Sequence, residues 1–257
     1  MIRLALLVAF VSALVVGETR PAKAESLIVT LSRPTIAVRS NFTGTQIVVF
    51  GGIERDGMTI ARRGYDIVAI VRGPAIDTTI RRKDRVMGLW INRGAERYDD
   101  LPGYYAVLSN RPLDEIASER LRRSLTIGAQ TLVEPEHLPD SEPRPPTPYG
   151  EALLETRRDD GLYVEIDGGV SFLGRAMFRG TAILPASVPI GRYTVDVHLL
   201  SGGALLTSET QEFLLHKEGF EQVVTSVAEN QPVFYGLGTI ALAFFTGWLG
   251  SVIFRRD

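Results

Sequence analysis

The C-terminal segment restricts what this chain can fold into more than any other feature. From Pro232 to Phe254 the sequence contains no charged residue, and Arg255 and Arg256 follow at once. As a helix this segment would reach about 34 Å, enough to cross a hydrocarbon core of about 30 Å. Because basic residues mark the cytoplasmic end of such segments, the sequence predicts a transmembrane helix over residues 232–254 and a cytoplasmic tail over residues 255–257.

The N-terminus has the parts of a secretion signal. Arg3 supplies the positive charge, residues 4–16 are uncharged and apolar, and residues 22–24 read Ala-Lys-Ala, an A-x-A cleavage site. We therefore predict a signal peptide over residues 1–24, with an uncleaved anchor as the alternative. Together the two ends predict a single-pass protein of the cell inner membrane with a periplasmic ectodomain.

Composition narrows the classes of partner and site. The formal net charge of -2 gives nucleic acid no basic surface to bind, so no nucleic-acid partner is expected. Cysteine is absent, which excludes disulfides, thiol catalysis and thiolate metal sites. The ectodomain must be stabilised by core burial alone.

Between the two ends, short β-branched and aromatic runs alternate with turns rich in Gly and Pro. This pattern is typical of an antiparallel sandwich or barrel. The fold class we predict is mainly β, with immunoglobulin-like β-sandwich modules, short helices and the C-terminal transmembrane helix. The predicted strands cover residues 27–31, 35–38, 45–50, 65–71, 86–91, 104–108, 162–166, 181–184, 193–200 and 205–215.

The clearest strand alternates between apolar and polar residues. Tyr193, Val195, Val197 and Leu199 lie on one face, and His198 lies on the other, where we expect solvent. Residues 201–203 form a turn, so this strand and the next are predicted to form a hairpin.

Helical spacing and a proline-rich segment divide the chain. Residues 112–123 and 149–158 have helical patterns, and residues 134–148 contain too many prolines to pack. We predict a β-rich module over residues 25–133, a linker over 134–148, a second β-rich module over 149–217 and a juxtamembrane amphipathic helix over 218–231. A single sandwich with a long insertion is the alternative.

Catalytic motifs are not evident. Ser171 lacks the G-x-S-x-G spacing of a hydrolase elbow, and the histidines have no paired spacing for zinc. The glycine pairs match no phosphate-binding loop and are interpreted as turns. The sequence therefore predicts no catalytic residue, no cofactor and no metal ligand.

The densest charge cluster is a candidate anion-binding patch. It consists of Arg81, Arg82, Lys83 and Arg85, with Arg72 upstream. Such a cluster suits oxyanions or lipid headgroups. The alternative is that these charges guard a strand edge against pairing with other chains.

The predicted membrane helix carries a stripe of small residues. Thr239, Ala243, Gly247 and Ser251 recur every four residues along one face. Small residues let helix backbones approach closely within lipid, so this stripe is a candidate helix-association face.

Several segments together match a known family. They are Asn41-Phe42-Thr43-Gly44-Thr45, Phe50-Gly51, Tyr65-Asp66-Ile67-Val68 with Gly73-Pro74, Pro189-Ile190-Gly191-Arg192-Tyr193, Lys217-Glu218-Gly219-Phe220, Tyr235-Gly236, Gly247-Trp248 and Phe254-Arg255-Arg256. With them the sequence resembles a family of alphaproteobacterial single-pass transmembrane proteins of similar length. No activity is assigned to that family, so the resemblance implies no catalytic residue. It implies association with a polytopic, sulfite-exporter-like permease.

Three functional hypotheses follow. The first is a non-catalytic accessory or binding protein that acts with a membrane partner, either a second copy or a permease, and with the lipid bilayer. The second is a cell-envelope enzyme with dispersed catalytic residues. The third is a structural protein that binds the cell envelope. Fold alone does not decide among them, because sandwiches serve all three purposes.

Overall fold

The computed structural model describes residues 25–39, 42–54, 64–86, 88–134, 146–218 and 231–253. The predicted signal peptide, most of the Pro-rich linker, most of the juxtamembrane helix and the cytoplasmic tail lie outside the described residues. The strands are β1 Ser26–Leu31, β2 Thr35–Val38, β3 Gly44–Glu54, β4 Tyr65–Arg72, β5 Ala75–Val86, β6 Leu89–Pro102, β7 Tyr105–Ser109, β8 Tyr163–Asp167, β9 Val170–Phe172, β10 Met177–Pro185, β11 Gly191–Ser201 and β12 Ala204–Lys217.

Helices are fewer and mostly short. They are α1 Leu113–Ile116, α2 Glu119–Ser124, a 3₁₀-helix Ala129–Leu132, α3 Pro148–Asp159 and α4 Pro232–Ile253. The predicted helix over residues 112–123 is thus broken in two. The break lies at Ser118, whose side chain accepts a hydrogen bond from the Leu121 amide and begins α2.

The strands form three sheets. A four-stranded sheet has the order β1-β3-β10-β9, a six-stranded sheet has the order β2-β12-β11-β4-β7-β8, and β5 pairs with β6 alone. The pairs β2–β12 and β7–β8 are parallel, and the other pairs are antiparallel. The prediction of a mainly β chain is confirmed.

Seven strands of the two larger sheets have the same order as strands of an immunoglobulin domain. In that fold strands A-B-E-D form one sheet and G-F-C the other, and here β1-β3-β10-β9 and β12-β11-β4 have the same order. Tyr193, near the start of β11, donates from its hydroxyl to the carbonyl oxygen of Pro189 at 2.6 Å. This bond to the backbone four residues upstream is the tyrosine corner of that fold.

One core lies between the two larger sheets. The inward residues predicted for β11, Tyr193, Val195, Val197 and Leu199, are all fully buried, which confirms the alternation. The same cluster contains Phe178 of β10 together with residues of β3. Since both sheets supply this core, neither sheet could stay folded without the other.

Strands from both sides of the Pro-rich segment pair with each other. Strand β3 pairs with β10 in one sheet, and β4 pairs with β11 in the other. This interleaving is what the alternative of one unit with a long insertion requires. The regions predicted as separate modules share both sheets and the core.

The segment from α1 to the 3₁₀-helix covers the outer face of the six-stranded sheet. Ile116 and Ile127 of this segment are buried. The Tyr105 hydroxyl donates to the Thr126 carbonyl at 2.6 Å and accepts from the Gly128 amide at 3.0 Å. Strand β4 is therefore buried on both faces, in agreement with its continuous apolar run.

Several predicted strand limits were wrong: most of β5 and β6 was not predicted, and β10 is longer than the strand predicted over residues 181–184. Two of the differences have a local cause. The glycine pair predicted to end the third strand, Gly51 and Gly52, lies inside β3, because Gly51 makes room for the ring of Phe178 on the neighbouring strand. The strand predicted over residues 86–91 is divided by a turn at Gly88, whose φ of 85° is one that glycine adopts readily.

The predicted C-terminal transmembrane helix requires a correction. Residues 232–253 form α4 as expected, but none of the helices described in the structure has the length and apolarity needed to cross a membrane. The prediction relied on the absence of charge, which is a weaker condition than high apolarity.

Candidate functional site

The predicted anion-binding residues lie together on one projecting hairpin. Arg81, Arg82, Lys83 and Arg85 are all exposed on β5. Opposite them on β6, the Cα atom of Asn92 pairs with that of Lys83, and the pairing is irregular between Arg81 and Lys83. We call strands β5 and β6 with their turn the arm.

The inner half of the arm is fixed to the body. Ile80 and Tyr98 pack partly buried against the core. Arg157 of α3 donates to the Thr78 hydroxyl at 3.1 Å, and the Thr147 hydroxyl donates to Glu96 at 2.8 Å. These contacts hold the base of the arm, and the described side chains of its outer half, beyond residues 81 and 94, are exposed.

The balance of charge differs between the base of the arm and its turn. Near the base, Arg97 forms ion pairs with Asp77, at 2.8 Å, and with Asp99. Toward the turn the basic cluster dominates. Arg72, which is near this cluster in sequence, is not part of it: it lies on β4 and pairs with Asp196 of β11.

An open cleft of about 740 Å³ lies at the end of the six-stranded sheet where β4 begins and β7 ends. Its polar centre is Asp66, whose side chain is 7% exposed. Arg111 donates to both Asp66 oxygens, from Nε at 2.9 Å and from Nη2 at 2.8 Å, and Asn110 donates to Oδ1 at 3.1 Å. The remaining lining includes Asp114, Glu115, Phe172, Gly202 and Gly203.

The charge of this cleft is already largely compensated. Arg111 also donates to Glu115 at 3.0 Å, so its guanidinium is shared between two carboxylates. A site that binds anions needs positive charge that is not already compensated, and here Asp66 and Glu115 both pair with Arg111 while Asp114 also lines the cleft. The cleft therefore has a structural ion pair at its centre.

A second polar cluster is formed by side chains of β11 and β12 together with Arg72 of β4. Asp196 accepts from the Thr210 hydroxyl at 2.6 Å as well as from Arg72. His198 is 6% exposed, and its Nδ1 atom lies 2.7 Å from the Ser208 hydroxyl. Burial lowers the pKa of His198, and the nearby Arg72 lowers it further, while Asp196 opposes both effects.

This cluster is not arranged as a catalytic triad. The Nε2 atom of His198 is buried and has no hydrogen-bond partner among the described residues. A nucleophile–base pair needs a third group on the second ring nitrogen to orient the imidazole. Nor do three His, Asp or Glu side chains within the described part of the chain come together as a metal site.

The predicted helix-association residues lie on α4. Thr239, Ala243, Gly247 and Ser251 are exposed. The Thr239 hydroxyl donates to the Tyr235 carbonyl at 2.8 Å, within the helix itself. Larger apolar side chains of α4 are equally exposed, including Phe244 at 76% and Leu237 at 60%.

Sequence reasoning missed the Asp66–Arg111 pair. One signal was available: Asp66 is the only charged residue in the otherwise apolar run of β4 before Arg72. A charged residue in a strand that is buried on both faces requires a partner, which here comes from residues after β7.

Comparison with known proteins gives a family. No curated protein matches the chain. A family model described as "Putative transmembrane protein (Alph_Pro_TM)" matches residues 26–256, from the first residue of β1 to beyond the end of α4. The match confirms the resemblance found in the sequence. Since nearly the whole chain is matched, this protein belongs to the Alph_Pro_TM family.

Proposed function

We propose that this protein is a non-catalytic accessory or binding protein that is attached to the inner membrane and acts with a membrane partner from the periplasmic side. The observation that supports this most is the exposed apolar surface of α4. Val233, Phe244, Trp248 and Ile253 are each more than 60% exposed. An apolar surface of this size in water needs a cover, and lipid or another apolar helix supplies one.

The β body does not cover the apolar surface of α4, because α4 is not part of its core. Among the described residues, the buried core runs from Leu27 to Leu215 and contains no residue of α4. Strand β12 also ends before α4, with the Glu218 amide bonded to the Val38 carbonyl at 2.8 Å. This separation supports a division of tasks in which the body recognises a partner and the apolar helix attaches the protein.

Attachment is tested by ending the chain after Glu218. We expect the full chain to stay in the membrane fraction after a high-salt wash, and the shortened chain to be released in folded form. Circular dichroism of the released body checks its folding. A shortened chain that stays with the membrane would show that α4 is not the attachment element.

The stripe of small residues favours a partner helix, rather than lipid alone, as the cover of α4. Ala243→Ile with Gly247→Ile places two large side chains on the stripe, where close backbone approach would be lost. At 100° per residue, Gly238 and Ala241 lie on the opposite face. Gly238→Ile with Ala241→Ile is therefore a control with the same change in composition.

The readout is association of the full chain in mild detergent. We expect the stripe variant to lose co-purification with a second copy or with a larger membrane protein such as a permease, and the control to keep it. Equal association of the two variants would mean that α4 only attaches the body. Alkaline phosphatase fused after Gln231 should be active if the body is periplasmic.

A further inference from the structure

We propose that the turn of the arm is a second membrane contact, which enters the headgroup region of an anionic lipid surface. This contact is distinct from α4 and goes beyond the attachment proposed above. It follows from the placement of charge and apolar side chains around one turn.

The outer half of the arm projects from the body. A methyl group added to Gly94 would overlap the hydroxyl of Tyr149 in α3, which marks where the body ends. Beyond Gly94 and Arg81, strands β5 and β6 pair only with each other. At about 3.4 Å per residue, the free part reaches about 17 Å outward.

Apolar side chains lie at the end of this projection. Leu89 is 71% exposed and Ile91 is 42% exposed, directly after the turn at Gly88. Charges that guard a strand edge do not require apolar residues at the turn. The edge-guard alternative therefore explains the basic residues but leaves Leu89 and Ile91 without a role.

Basic residues surround this apolar end. Residues 81–94 contain five basic residues and one acidic residue, Asp84. The exposed members of the cluster are Arg81, Arg82, Lys83 and Arg85. Segments that lie in a membrane interface combine these two features: apolar side chains enter the acyl boundary while cations attract anionic headgroups.

A lipid surface is favoured over an acidic protein as the occupant. The chain belongs to a family of membrane proteins and carries an apolar helix, so a bilayer is available to the arm. Leu89 and Ile91, the apolar side chains described at the narrow end of the hairpin, offer little area to a protein interface, which needs about 800 Å² per partner. They are sufficient for shallow entry into lipid.

The test uses the full chain reconstituted in vesicles. Because the chain contains no cysteine, Leu89→Cys gives a single labelling site for an environment-sensitive fluorophore. Ile28→Cys is the control, since Ile28 is 56% exposed on β1, away from the arm. The vesicles are phosphatidylcholine alone or phosphatidylcholine with phosphatidylglycerol.

We expect a blue shift of the label at position 89 in the anionic vesicles, quenching by brominated lipid, and no change at position 28. Changing Arg81, Arg82, Lys83 and Arg85 to Gln should abolish the shift, and high salt should reverse it for the unchanged arm. A water-like label in both vesicle types, as an arm that binds an acidic protein would give, overturns the proposal. A blue shift that persists after the four basic residues are changed to Gln also overturns the proposal. Attachment by α4 is scored separately, by flotation with neutral vesicles.

Discussion

Arg111 encloses the Asp66 carboxylate, with one hydrogen bond from Nε and one from Nη2 to its two oxygens. Asp66 lies on a strand that is buried on both faces, whereas Arg111 follows β7 and is half exposed. The pair therefore joins the start of β4 to the connection between β7 and α1. A buried carboxylate that keeps such a partner is tolerated, and one that loses it destabilises the fold.

Replacement of Arg111 by Gln should destabilise the body, because Asp66 stays buried without its cation. Loss of the cation leaves the Asp66 carboxylate with Asn110 as its remaining side-chain donor, which lowers the free energy of unfolding. The additional change Asp66→Asn should restore part of the loss by removing that charge. Urea unfolding measures both variants, and Arg97→Gln, at an exposed ion pair, is the control that should hardly change the midpoint. A double variant no more stable than Arg111→Gln alone would contradict this account.

Gly51→Ala should destabilise the body by about 1 to 3 kcal/mol through overpacking. Its methyl group would overlap the Phe178 ring and lie 2.9 Å from the Ile28 carbonyl oxygen. Gly52→Ala is a matched control, since a methyl group there meets nothing within 4 Å. Equal thermal midpoints for the two variants would show that Phe178 moves aside without cost.

Tyr193→Phe should lower the free energy of unfolding by about 1 kcal/mol through loss of the bond to Pro189. The ring would still stack on Phe213, at a centroid distance of 4.8 Å, so the core stays filled. Tyr193→Leu removes this stacking as well and should cost more. Chemical denaturation of the two variants separates the hydroxyl from the ring.

Stability should fall as the pH is lowered below about 6.5, the ordinary pKa of histidine. The folded pKa of His198 is lowered, chiefly by burial, so the unfolded chain takes up a proton at His198 before the folded chain does. The contribution of His198 to the free energy of unfolding is thus fully present above its pKa in the unfolded chain. It is lost as the pH falls toward its pKa in the folded chain. Urea midpoints at neutral and mildly acidic pH measure this loss.

His198→Gln should reduce that pH dependence, because it removes the imidazole whose pKa is lowered by burial. Unaltered pH dependence in His198→Gln would assign the effect to other groups.

The sequence predicted best where a strand depends on its own pattern. The alternation in β11 identified four core residues, and the turn at residues 201–203 identified the hairpin with β12. It was wrong where a distant segment decides the outcome. His198 was expected at the surface but is buried, on a strand that lies between β12 and β4, and β4 is far away in the sequence.

The candidate sites were only partly predictable. The basic cluster was evident from composition, but its position on a projecting arm depends on the turn at Gly88, which divides an apolar run that looks like one strand. Pairing of Asp66 with Arg111 depends on β4 and β7 being neighbours. No local sequence pattern specifies that β4 and β7 pair with each other.

The parallel pairing of β2 with β12 has a consequence for the order of events during synthesis. Residue 35 finds its partner only when residue 214 has been made, so the edge of the six-stranded sheet stays open until almost the whole body has emerged. Contacts between such distant residues slow folding. In a growing chain, β2 is exposed to other strands for most of that time. A chain that stops before β12 leaves both β2 and β11 without a partner that they share, which makes it prone to aggregation.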